Sequence, residues 1–165
     1  MREGRCRVGV TGHRDLARPD AARRAVDEVL DALPQPLVAV SSLAEGADRI
    51  VAQAVLERPG GSLRVVLPLP VDDYVADFAG EGSVRDFNDL VAAADDVQVI
   101  DLDSGDQPRE AAYERAGLAV IDGSDVLVAL WDGEAGRGRG GTAETVRTAR
   151  SLGRQVLVIP VERAR

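Results

Sequence analysis

Leu37-Val38-Ala39-Val40-Ser41-Ser42-Leu43-Ala44-Glu45-Gly46-Ala47-Asp48-Arg49-Ile50-Val51 opens on a short apolar run, passes through small and polar residues, and resumes with apolar residues at helical spacing. The opening has the composition of a strand buried on both faces. The close, with Ala47, Ile50, Val51, Ala54 and Val55 on one stripe, is an amphipathic helix. The same succession recurs along the chain. Apolar runs at 7–10, 37–40, 63–67, 97–102, 126–131 and 156–161 alternate with helical patterns at 21–33, 47–57, 72–94 (broken), 109–121 and 143–152. Such alternation predicts right-handed crossovers and a three-layer α/β/α domain, its mostly parallel sheet of about six strands covered by helices on both faces. Ligands bind such sheets beyond the carboxyl ends of the strands, so the loops that follow strands carry the functional information.

The 165 residues, 45% hydrophobic and only 3% aromatic, are enough for one core and are expected to form one domain over 1–165. The net charge of −8 excludes phosphate-backbone attraction as a main driving force, so nucleic acid is an unlikely partner class. All 20 basic residues are Arg, which excludes a Schiff-base lysine and a Walker lysine. The single cysteine, Cys6, has no partner for an internal disulfide and is expected to be a buried thiol in the first strand. Arg2, Glu3 and Arg5 interrupt any apolar leader, and no later run approaches the roughly 18 apolar residues of a membrane span. A cytoplasmic protein with no membrane partner is the expectation.

After the first strand comes Thr11-Gly12-His13-Arg14, in which Gly12 permits a sharp turn and Arg14 supplies a fork for phosphate or carboxylate. His13, the only histidine, is read as a ligand contact or as a cap on a neighbouring element. After the second strand, Ser42, Glu45, Gly46 and Asp48 surround a helix start whose amides suit an anion, unless Ser42 or Glu45 caps them. Glu45 is also an acid placed in the expected cleft. Of the five aromatics, Phe78 and Phe87 are expected in the core, whereas Tyr74 and Trp131 are expected to stack on a base. Asp72-Asp73 and Asp95-Asp96 are expected to be solvated faces, and neither a metal site nor a cofactor is inferred. Gly136, Gly138 and Gly141 spell a dinucleotide fingerprint, but no second mononucleotide half follows within these residues, so a nicotinamide site is not expected.

Ser41-x-Leu43-Ala44-x-Gly46-x-Asp48 resembles the Ser-Gly-Leu-Ala-x-Gly-Ile-Asp signature of the DprA/SMF family, with Ser42 in place of the glycine. Gly140-Gly141-Thr142-Ala143-Glu144 is similar to the Pro-Gly-Gly-x-Gly-Thr-x-x-Glu motif of the Lonely-guy (LOG) phosphoribohydrolases, and Val8 to Arg14 looks like small SLOG proteins of the YpsA/YspA kind. The resemblance implies a Rossmann-like domain of the SMF/DprA-LOG (SLOG) superfamily and a nucleotide or nucleotide-derived ligand. It implies that Gly140, Gly141 and Thr142 meet a phosphate, and with the loop readings above the expected ligand set is Thr11, Gly12, His13, Arg14, Ser42, Glu45, Gly46, Asp48, Tyr74, Trp131, Gly140, Gly141 and Thr142. For a LOG-like N-glycosidic hydrolase the implied catalytic residues are Arg115, within Tyr113-Glu114-Arg115, and Glu144 or Glu45. Counted from Gly141-Thr142, however, the family's acid position falls on Thr145. A hydroxyl there favours sensing a nucleotide over consuming it. DprA-like single-stranded DNA binding is the competing expectation, which the charge balance opposes, and family analogy implies a homo-oligomer.

Overall fold

The computed structural model describes residues 4–100, 108–136 and 141–164. Its elements alternate as the apolar runs foretell: β1 (Cys6–Gly12), α1 (Pro19–Asp31), β2 (Leu37–Ser41), α2 (Ala47–Leu56), β3 (Ser62–Leu67), α3 (Val71–Tyr74), α4 (Glu81–Ala93), β4 (Asp96–Val99), α5 (Arg109–Asp122), β5 (Val126–Trp131), α6 (Thr142–Ser151) and β6 (Gln155–Pro160). A 3₁₀ turn at Val75–Asp77 links α3 to α4, which resolves the broken helical pattern.

The six strands form one parallel sheet in the order β4-β3-β2-β1-β5-β6. Side chains alternate across it. Val8, Val10, Leu63, Val65, Val128 and Leu130 face a large core shared with α1, α2 and α4, while Val40, Val66 and Leu127 face a smaller one built with Ala116, Val120 and Ile121 of α5 and Ala149 of α6. Burial on both faces holds for the inner strands. The outer two depart from it: β4 is exposed along Asp96, Val97 and Gln98, and β6 buries only Ile159, because an edge strand has a neighbour on one side alone. Cys6 is buried in β1 as a free thiol, and Asp72, Asp73, Asp95 and Asp96 are exposed. Among the described residues no helix is long and apolar enough to cross a membrane.

Glycine is required where β1 ends. A Cβ on Gly12 would fall 2.3 Å from the Ala47 Cβ and 2.8 Å from the Leu130 carbonyl oxygen, so only glycine lets β1, β5 and the start of α2 meet. Gly46, with φ of +80°, rests against the His13 and Arg14 carbonyls, and the Ala47 amide donates to the His13 carbonyl at 3.1 Å. The loops after β1 and β2 are thereby held together.

Candidate functional site

Strand order reverses between β1 and β5: β2, β3 and β4 extend one way from β1, β5 and β6 the other. At such a switch point the flanking connections leave toward opposite faces and open a crevice above the carboxyl ends of the strands. A cavity of about 100 Å³ lies there. Val10, Thr11 and Gly12 of β1 form its floor, Ser42, Ala44 and Asp48 one wall, and Tyr113, Ala116, Gly117 and Val120 of α5 with Thr145 of α6 the other. Arg14 stands at the rim.

The Arg14 guanidinium is exposed, lies 5.5 Å from the centre of the Tyr113 ring, and has no carboxylate or carbonyl partner among the described residues. Tyr113 is fixed beneath it, because its phenol donates to the Asp77 carboxylate, which Arg109 also grips at 2.9 Å. Asp48 is the one acid in the lining among the described residues. It is 8% exposed and accepts the Ala44 amide at 3.2 Å. Burial pushes its carboxyl up to about 7, against the pull of that hydrogen bond and of the Arg14 and Arg49 charges. The site therefore pairs an available cation at its mouth with a carboxyl that is half protonated near neutrality.

The wall that carries Ser42 and Ala44 is built by a polar network. Leu43 is buried in the left-handed region at φ 55°, with its amide donating to Ser41 Oγ at 3.0 Å and its carbonyl accepting Arg49 Nε at 3.0 Å. Arg49, only 8% exposed, lies 4.6 Å from the Phe78 ring centre and donates through Nη1 to the carbonyl and hydroxyl of Ser83, both at 2.9 Å. Ser83 Oγ in turn donates to Glu45 at 2.5 Å, and the Ala79 amide donates to the same carboxylate at 3.1 Å. Burial raises the Glu45 pKa, but these two bonds and the Arg49 and Arg14 charges outweigh it and leave the carboxyl below its ordinary value. The loop is thus tied to α4.

Of the candidate residues, Thr11, Gly12, Arg14, Ser42 and Asp48 come together on the cavity, with Gly46 supporting them from the start of α2. The others lie elsewhere. Glu45 turns its carboxylate to Ser83 and Ala79. His13 is buried, and its Nε2 accepts the Asp132 amide at 3.0 Å, joining the β1 loop to the end of β5. Burial and the Arg163 charge lower its pKa and outweigh Asp132, which keeps it neutral. Trp131 is half-buried, its Nε1 donating to the Glu134 carbonyl at 2.9 Å. Glu144 borders an adjoining cleft between α5 and α6 with Glu114, Leu118 and Thr148, which shares Gly117 and Thr145 with the cavity, and Arg115 lies off the α5 stripe that faces the cavity. Gly141 and Thr142 stand at the start of α6, and Gly140 lies outside the described residues, as does most of the Gly136 to Gly141 tract.

Tyr74 requires a correction. Instead of offering a face to a base, it is fully buried, packed edge-on against Phe78 and Phe87, and its hydroxyl donates to the Ser42 carbonyl at 3.0 Å. Phe78 and Phe87 are in the core as expected. The aromatic that lines the cavity among the described residues is Tyr113, which composition and motif alone do not single out. Its signal was the small-residue stripe Ala116, Gly117 and Val120 at three, four and seven residues beyond it, which lets α5 approach β1 closely.

No known family model matches the sequence, and no curated protein matches it. Among solved structures, DNA processing protein A (DprA) from Streptococcus pneumoniae is similar over 94% of this chain, at 25% identity and a TM-score of 0.65. This chain spans 50% of that protein's length. Moco carrier protein from Chlamydomonas reinhardtii is similar over 94% of this chain and 76% of its own, at 20% identity and a TM-score of 0.52, a likeness of fold. The six-stranded parallel sheet is that of the Rossmann-like DprA fold, and the likeness to DprA supports the SMF/DprA-LOG superfamily as the chain's place.

Proposed function

We propose that the chain binds a nucleotide or nucleotide-derived small molecule in the cavity between β1, α2 and α5, as a ligand-sensing domain of the YpsA/YspA or LOG-like kind. The observation that carries this reading is Arg14. A guanidinium held over an aromatic ring at a switch-point cavity, with no carboxylate partner among the described residues, is suited to receive an anion. The hydroxyls of Thr11, Ser42 and Thr145 supply the neutral polar contacts. Sensing is favoured over hydrolysis because Thr145 borders the cavity where the LOG motif places its acid, while Glu144 faces the neighbouring cleft. Thermal-shift and titration measurements against nucleoside mono-, di- and triphosphates test the proposal. Stabilisation by a nucleotide that Arg14→Ala weakens at least tenfold is the expected result. No shift with any nucleotide would remove it.

The likeness to DprA favours a second reading, binding of single-stranded DNA. A net charge of −8 opposes it. Oligonucleotide binding that falls steeply with salt, without nucleotide binding, would reverse the order. Incubation with nucleoside monophosphates, following free base by chromatography, separates sensing from turnover: release of base lost in Arg115→Ala and Glu144→Gln would establish the hydrolase. We also propose that the protein is cytoplasmic and self-associates.

A further inference from the structure

The reading of the cavity as a nucleotide site leaves open which part of the ligand enters it, and the chemistry of the lining decides. About 100 Å³ is well below the ~300 Å³ of the smallest pockets that enclose a drug-sized ligand, so a fragment is enclosed and the rest lies outside. A phosphate is better held at the rim, where Arg14 stands, than beside Asp48, whose carboxyl meets an anion as a like charge whenever it is ionised. A base finds no stacking partner among the described lining residues, since the Tyr113 ring already lies beneath Arg14, whereas Thr11, Ser42, Asp48 and Thr145 line the cavity with hydrogen-bonding groups. What remains is a small, hydroxyl-rich group. Asp48 is more than nine-tenths buried and spends one acceptor position on the Ala44 amide, which leaves its other lone pairs for hydroxyl donors. Thr145 donates its own proton to the Gly141 carbonyl at 3.0 Å, so its oxygen too is left to accept.

Resting on the nucleotide reading above, we propose that the enclosed part is a pentose: Asp48 receives the sugar hydroxyls, Arg14 holds the phosphate at the rim, and the base projects outside. Asp48 is on this account the residue that distinguishes ribose from deoxyribose. A carboxyl facing a missing hydroxyl is left partly unpaired in a buried place, which is the arrangement that discriminates most strongly against the shorter ligand.

Titration calorimetry on the full chain tests this with ribose 5-phosphate, the four ribonucleoside monophosphates, their 2′-deoxy counterparts and inorganic phosphate. The expected result is that the wild-type protein binds at least one ribose phosphate tenfold or more tightly than its 2′-deoxy counterpart, and that Asp48→Asn narrows this ratio to within threefold. Equal affinity for the ribo and deoxy forms of every bound monophosphate overturns the assignment while leaving the nucleotide reading intact. So does tighter binding of inorganic phosphate to Asp48→Asn than to wild type, which would put the anion in the interior. Absence of binding by every phosphate compound overturns both. The ribo-to-deoxy comparison uses the wild-type chain alone and does not depend on the variant folding.

Discussion

Replacing Asp48 by Asn should stabilise the fold, and increasingly so as the pH rises. Asp48 ordinarily titrates at 3.8, and burial raises it to about 7. At 1.36 kcal/mol for each tenfold change in proton affinity, that difference sets a ceiling of ~4 kcal/mol on the cost of ionising it in the native state. The sign follows from proton counting. Between pH 3.8 and about 7 the native protein holds a proton on Asp48 that the unfolded chain releases, so this group's contribution is fully present below 3.8 and is lost as the pH rises through about 7. Asparagine has nothing to ionise, and its carbonyl can still accept the Ala44 amide. Relative to wild type the variant should gain on the order of 2–3 kcal/mol between pH 5 and pH 8. Urea denaturation of both proteins at pH 5, 6, 7 and 8 measures this as a displacement of midpoint at constant slope. His13 pulls the absolute curves the other way, since its pKa is lowered by burial and its protonation costs stability as the pH falls toward and below 6.5, but it is common to both proteins and cancels in the difference. A stability difference that does not change between pH 5 and pH 8 would refute the reasoning, by showing that Arg14 and the Ala44 amide hold Asp48 ionised against its burial.

Gly12→Ala places a methyl group where Ala47 and the Leu130 carbonyl already stand, and should cost ~1–3 kcal/mol in the same denaturation assay. Tyr74→Phe keeps the ring packing and removes the bond to the Ser42 carbonyl, for an expected loss of about 1 kcal/mol, and any ligand affinity should fall with it because Ser42 borders the cavity. Light scattering at micromolar concentration should give a mass above 17.4 kDa if the chain self-associates as proposed.

The layered fold was legible because strand and helix periods differ so plainly here, and the placement of Thr11, Gly12, Arg14, Ser42 and Asp48 followed from one rule, that ligands sit where parallel strands end. What the sequence could not convey were the pairings that bridge long stretches of chain. Glu45 is an acid in the right loop, yet Ser83, 38 residues away, takes its carboxylate. Tyr74 reads as an exposed aromatic after a Pro-Leu-Pro turn until Phe78 and Phe87 close around it. Tyr113 and Thr145 lie on helices whose rotation about their own axes decides whether they face the cavity, and a helical pattern gives a stripe without saying which strand lies beneath it. Edge position is likewise a property of strand order, so the exposure of Val97 followed only once β4 was seen to have a single neighbour.

The left-handed turn at Leu43 has a kinetic consequence. Its carbonyl is clamped by Arg49, and Arg49 and Glu45 both close on Ser83, so the wall beside Asp48 is already in its final shape before any ligand arrives. The loop after β2 does not have to order itself on binding or unlatch for release. Association should therefore follow a single exponential that rises linearly with ligand concentration instead of levelling off, and differences in affinity among ligands should be expressed in how long each one stays.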